Sequence, residues 1–225
     1  MEDPGRSQKD LAHQVRIWES KLNQIPLLSL DKCGIPPKYA GCSLDNFKGN
    51  SSLINEIKEY SGGGMVLTGG TGAGKTHLSV SVIKSLYENR WAEYCNKNIE
   101  RIKAEDRPDY NYSFQPMFIT APDFLLKIRD TFKDGCRETE GSIIDRYAHF
   151  QLLVLDDLGS EKPTEHTIMA LYVLIDRRDS QLKDTVITTN LSLPQIETRL
   201  NSRIASRLSS WDWKQIDMPD YRKNK

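Results

Sequence analysis

The chain has 225 residues, 28% of them charged, with 31 basic and 31 acidic side chains that cancel. That length holds one sizeable α/β domain plus a short appendage and excludes two ordinary domains. Balanced charge removes the whole-chain electrostatic case for nucleic acid and leaves only local patches open. No stretch approaches the roughly 18 uncharged apolar residues of a membrane-spanning helix. The polar start MEDPGRSQKD carries no apolar signal region, so a cytoplasmic protein without membrane attachment is expected. Cys33, Cys42, Cys95 and Cys136 lie far apart, without a CxxC pair or a histidine at metal-ligand spacing, and read as reduced thiols.

Residues 1–10 read as a frayed tail. From 11 to 25, Leu11, Val15, Trp18, Leu22 and Ile25 recur at spacings of four and three, which predicts an amphipathic helix ended by Pro26. Its apolar stripe either docks on a partner or folds back on the chain's own core. The turn-rich CGIPPKYAGCSLDNFKGN predicts an irregular connection. Strand and helix then alternate. MVLT (65–68) is a strand, and a helix from near Gly74 buries Leu78, Val82 and Leu86. Polar residues 92–114 read as helix extension and surface loop. MFIT (117–120) is a second strand, followed by helix over about 122–133, a break at Asp134–Gly135 and helix again over about 141–149. LLVLD (152–156), apolar on both faces, predicts a central parallel strand. Thr164 can cap a helix carrying Ile168, Leu171, Tyr172 and Ile175. TVITT (185–189) is another strand, short helices follow at about 193–199 and 201–209, and a last strand is expected near 214–218. The expected fold is α/β, a parallel sheet of four or five strands covered by helices on both faces.

Residues 69–76, GGTGAGKT, satisfy the Walker A spacing with Gly69, Gly74, Lys75 and Thr76. Glycines let the backbone curl until its N–H groups converge on phosphate, and the helix that starts there adds its positive end. Gly70, Thr71, Gly72, Ala73, Gly74, Lys75, Thr76 and His77 are therefore the expected nucleotide-binding residues, with ATP and Mg²⁺ as cofactors. Lys75 is expected to reach the β- and γ-phosphates and the Thr76 hydroxyl to hold the metal. A hydrolytic phosphate loop also needs a carboxylate at the end of a neighbouring strand. LLVLDD supplies Asp156 for the metal, with Asp157 placed to orient or deprotonate the attacking water. Asn190, just past TVITT, is either a sensor of the γ-phosphate or a turn residue. Arg203 and Arg207, four apart on one helix face, are either a solvated pair or a source of the arginine that another molecule can supply in trans.

The order Walker A, LLVLDDLGSEK, TTNLS, RIASRL resembles the AAA+ ATPases of the bacterial helicase-loader group, which includes DnaC-like and DnaI-like loaders and IstB-like transposition helpers. The similarity spans about residues 33–210 and includes Glu161 and Lys162 after LDDLG. It implies an AAA+ type five-stranded parallel sheet without a full C-terminal lid. It assigns Asp156 and Asp157 to Walker B, Asn190 to sensor 1 and the arginine finger to Arg207, with Arg203 as the other candidate. The implied organisation is a tail and amphipathic helix over 1–32 and an ATPase domain over 33–225. Residues 121–149 fall where the initiator and loader clade carries a helical insertion that helps grip single-stranded DNA. With five Lys/Arg against six Asp/Glu, they form no basic patch, so DNA contact there is implied by the family alone.

The resemblance implies a slow, partner-stimulated ATPase that assembles on single-stranded DNA and delivers a replicative hexameric helicase. Self-association through an ATP-bridged interface is implied with it. Three other functions share the phosphate loop: a transposition helper, a small-molecule kinase, and a nucleotide-gated binding module without turnover. The Asp-Asp pair and Asn190 suit water activation better than transfer to a metabolite.

Overall fold

A computed structural model of the chain describes residues 8–160 and 164–224. The first part of the expected tail lies outside them. Two compact units are formed by the described residues, one from 8–28 and 86–114, the other from 29–85, 115–160 and 164–224.

The larger unit is built on five parallel strands: β1 (Gly64–Gly69), β2 (Pro116–Thr120), β3 (Leu152–Leu158), β4 (Asp184–Thr189) and β5 (Asp212–Ile216). Their order across the sheet is β2-β3-β4-β1-β5. β1 runs beside β4 from Gly64↔Thr185 to Thr68↔Thr189, and β5 covers its other side from Met65↔Asp212 to Gly69↔Ile216. Met65, Val66 and Leu67 are wholly buried, as a strand between two parallel neighbours requires. Parallel pairing forces long crossovers, and these carry the helices.

The helices are α2 (Ser51–Lys58), α3 (Lys75–Lys103), α4 (Ala121–Asp130), α5 (Glu140–His149), α6 (Glu165–Ser180), α7 (Leu193–Arg199) and α8 (Ser202–Leu208). Phe124 and Ile128 of α4 and Ile143, Ile144 and Tyr147 of α5 join the core made by β3, α6 and α8. Each of α4 and α5 is started by a threonine cap: Thr120 accepts from Asp123 N–H, and Thr139 forms a capping box with Ser142. Two of the basic side chains here are paired, Lys133 with Asp130 and Arg146 with Glu138. Helix α2 begins where the irregular segment was expected to end, because the Asn50 side chain accepts from Ser52 N–H and so caps a turn burying Leu53 and Ile57. The last strand, β5, starts two residues earlier than its expected place. As an edge strand it alternates too weakly to mark its own ends.

The smaller unit contains α1 (Gln8–Leu22) and the C-terminal part of α3. The stripe of α1 folds back on the chain. Trp18 is buried with Trp91, Cys95, Ile99 and Ile102, and Leu11, Val15 and Leu22 flank them. Trp91 Nε1 donates to Lys21 O at 3.0 Å, satisfying a carbonyl that the end of α1 leaves open. Ile25 lies past the helix and is half exposed. The four cysteines are free, three buried and Cys136 exposed. Among the described residues no helix is long and apolar enough to cross a membrane.

Candidate functional site

β1 ends at Gly69 and α3 begins at Lys75, so the glycine-rich loop lies between a strand and a helix N-terminus. Gly72 and Gly74 hold φ of +75° and +95°, a left-handed backbone that side chains resist. Space is short as well, and a side chain would have to displace its neighbours. A Cβ on Gly74 would stand 2.5 Å from the Phe47 ring, and one on Gly72 would stand 1.7 Å from Asp220 Oδ1. Tyr221 N–H also donates to Gly72 O at 3.2 Å, so the segment after β5 lies on the loop.

Lys75 is nearly buried. Its Nζ donates to Gly69 O at 2.9 Å, to Gly70 O at 2.7 Å and to Asn190 Oδ1 at 2.5 Å. The bond to Asn190 brings the end of β4 to the loop. Thr76 Oγ1 donates to Asp156 Oδ2 at 3.0 Å, which brings the end of β3 there too. His77 lies on the far side, with Nε2 2.9 Å from Ser43 O and its ring 5.3 Å from that of Phe47. Gly70 and Thr71 are exposed and Ala73 is buried.

Asp156 is 6% exposed. Burial pushes its carboxyl above the usual range, opposed by hydrogen bonds from Thr188 and Thr76 and by the Lys75 charge, and reinforced by Asp157. A hard divalent cation reverses this preference, since it takes carboxylate and hydroxyl oxygens together with phosphate and water. Thr76 Oγ1 and Asp156 Oδ2 provide that pair, beside a loop and a lysine shaped for an anion, so the donor set fits a magnesium nucleotide. Asp157 adopts φ +62° and its N–H donates to Thr188 Oγ1 at 2.8 Å.

Lys75, Thr76, Asp156 and Asn190 therefore form one connected cluster. Arg203 and Arg207 do not join it. Arg207 pairs with Asp176 of α6 through Nε at 2.7 Å and Nη2 at 2.6 Å, and the Arg203 guanidinium lies 5.7 Å from the Tyr172 ring. Glu161 and Lys162 lie outside the described residues. Two side chains at the cluster and its loop were not expected from sequence: Thr188, bonded to Asp156, and Asp220, against Gly72. For Thr188 the signal was the run TTN, of which only the asparagine was singled out.

No protein-family model matches the chain. It is 22% identical over 190 residues to the replicative helicase loader DnaC of Escherichia coli (strain K12), an alignment spanning 80% of this chain and 68% of the relative. The crystal structure of the DnaC helicase loader matches with a TM-score of 0.60 at 22% identity, over 82% of this chain and 100% of that one. A structure of the replication initiator DnaA bound to AMPPCP and single-stranded DNA matches with a TM-score of 0.56 at 20% identity, over 82% of this chain and 51% of that one. The fold is the AAA+ type P-loop fold that these proteins share, and over four fifths of its length the chain resembles the replicative helicase loaders.

Proposed function

We propose that this chain is an ATP-dependent helicase loader whose nucleotide state controls its assembly. The observation that carries the proposal is the convergence of β1, β3 and β4 on one loop through the Lys75–Asn190 and Thr76–Asp156 bonds. A glycine-rich turn with a surface lysine would leave that lysine in solvent, whereas here it is nearly buried beside the sheet's C-terminal edge.

In this reading residues 70–77 hold the phosphates, with Lys75 reaching the β- and γ-groups. Thr76 and Asp156 hold Mg²⁺, which supplies charge neutralisation on the phosphate oxygens when bound. Asp157 orients the attacking water or takes its proton. Asn190, bonded to Lys75, reports on the γ-phosphate. Arg207, with Arg203 as its alternative, completes the site of a neighbouring copy. Similarity to DnaC supports a replicative hexameric helicase as partner, and the DnaA structure supports single-stranded DNA as the surface on which copies assemble. Residues 121–149, as an insertion in a domain spanning 33–225, would make that contact through backbone and shape, since their five basic and six acidic side chains nearly cancel. The absence of a basic patch there leaves no other electrostatic route.

The test uses the full chain. Lys75→Ala is expected to abolish binding of a fluorescent ATP analogue, and Arg207→Ala to spare binding while removing hydrolysis and ATP-dependent assembly. With ATP, the wild type should retain a hexameric helicase from the host lysate. Retention of a transposase would move the chain to the transposition helpers, and normal hydrolysis by Arg207→Ala would remove the finger assignment.

A further inference from the structure

The β3–β4 ladder contains one irregularity, and it falls at the candidate site. Pairing runs from Leu152↔Asp184 to Leu155↔Ile187 and resumes at Leu158↔Thr189. Three steps along β3 thus match two along β4, so Asp156 and Asp157 together face Thr188. This is a bulge, which re-aims side chains where it occurs and leaves a ladder group without its regular partner.

Thr188 makes up for that loss. Its Oγ1 accepts the Asp157 N–H at 2.8 Å and donates to Asp156 Oδ1 at 2.8 Å. A hydroxyl has one proton to give, and here it goes to the carboxylate. The other carboxylate oxygen, Oδ2, takes the Thr76 hydroxyl at 3.0 Å. Asp156 is therefore held from both sides, by the phosphate-loop helix on one oxygen and by β4 on the other. Thr188 is 1% exposed, between the apolar Ile187 and the buried Thr189. A hydroxyl in that place costs stability unless its bonds are made, and both are. Asp157, at φ +62°, is in the left-handed region, and its N–H is anchored by the same oxygen.

We propose that Thr188 is the positioning residue of the metal site, setting the direction of the Asp156 carboxylate and the backbone turn that presents Asp157. The inference rests on the ATP reading above and deepens it. Two residues on, Asn190 of the same segment bonds Lys75. One strand end thereby sets both the metal carboxylate and the loop lysine, and movement of β4 is felt at both.

Thr188→Val keeps the shape and removes the hydroxyl, and Thr188→Ser keeps the hydroxyl and removes the methyl. The reading is the Mg²⁺ concentration that half-saturates binding of a fluorescent ATP analogue, with thermal unfolding of the nucleotide-free chain alongside. Loss of a partner that orients a metal ligand costs about 10–100-fold in metal affinity or activity. Thr188→Val is therefore expected to raise the Mg²⁺ half-point at least tenfold while leaving metal-free analogue binding unchanged, and Thr188→Ser to return it to the wild-type value. A hydroxyl that merely closed the sheet would lower the unfolding temperature without moving the Mg²⁺ half-point, and that result overturns the inference. So does Thr188→Ser behaving like Thr188→Val. A wild-type chain that bound no analogue at any Mg²⁺ concentration would overturn the ATP reading and this inference together. Binding by the wild type with an indifferent Thr188→Val would overturn this inference alone.

Discussion

Arg178 carries a guanidinium to a wholly buried position near the end of α6. Nε donates to Thr185 Oγ1, Nη1 to the carbonyls of Tyr147, Ala148 and Phe150, and Nη2 to that of Asp184, at 2.6–3.0 Å. Tyr147 and Ala148 lie in the last turn of α5, where carbonyls have no helical partner. One side chain thus closes α5, the turn into β3 and the start of β4. Burial lowers its pKa to about 10, with Asp184 opposing the shift. The folded value lies below that of the unfolded chain, so the unfolded state holds the extra proton only above about pH 10. Between about pH 6 and pH 8 the group is charged in both states and adds no pH dependence. Arg178→Met strips several carbonyls of their donors and is expected to cost about 3 kcal/mol or more in urea unfolding, equally across that range. Arg178→Lys should recover only part, because an ammonium has three donors and no planar fork. In sequence Arg178 looks like any basic residue in a helix's last turn. What makes it buried is three carbonyls some thirty residues away, which no local pattern reveals. The meeting of Lys75, Thr76 and Asp156 was legible for the opposite reason, since their placement is tied to a loop whose spacing is itself the chemical requirement. Asn190 read equally as a turn residue until the resemblance placed it.

The same contrast holds among the elements. β1, β3 and β4 are apolar runs between turn signals, and their placement and parallel pairing followed from pattern alone. Helix α2 did not, because eight residues with two buried side chains give periodicity too little length, and its start depends on the Asn50 cap. The bulge in β3 was equally hidden, since two aspartates after an apolar run look the same whether the ladder continues or slips. The segment after β5 is the clearest case. Its contact with the phosphate loop depends on β5 ending at Ile216 opposite Gly69, which delivers Asp220 to Gly72. In the ATP reading proposed above, a carboxylate there would repel the triphosphate. Asp220→Asn keeps the shape and removes the charge, so ATP-analogue binding should tighten by about fivefold at low salt, equivalent to about 1 kcal/mol. The gain should shrink as salt rises. Weaker binding by Asp220→Asn would mean that the carboxylate orders the loop for nucleotide.

For the molecule as a whole, the question is whether its site is complete in one copy. Both arginines of α8 rest on α6 in the single chain, Arg207 on Asp176 and Arg203 over Tyr172. Arg207 and Asp176 are 45% and 32% exposed, and ion pairs that open to water hold weakly. A phosphate on an adjoining copy can therefore compete for the guanidinium, whose fork pairs bidentately with phosphate as well as with carboxylate. This predicts complementation. Lys75→Ala loses its own site and still carries Arg207, whereas Arg207→Ala keeps its site and supplies no finger. Each alone should be inactive. Mixed one to one, they bring an intact site and an intact finger together at about a quarter of the interfaces, so about a quarter of wild-type hydrolysis should return. The recovery should fall on dilution, because it needs two chains. An arginine that acted on its own chain would give no recovery at any ratio or concentration. A third chain, Asp176→Ala, separates holding from catalysis. With the guanidinium released from α6, it should serve as a finger donor at least as well as Lys75→Ala, whereas a structural need for the ion pair would make it a poorer one.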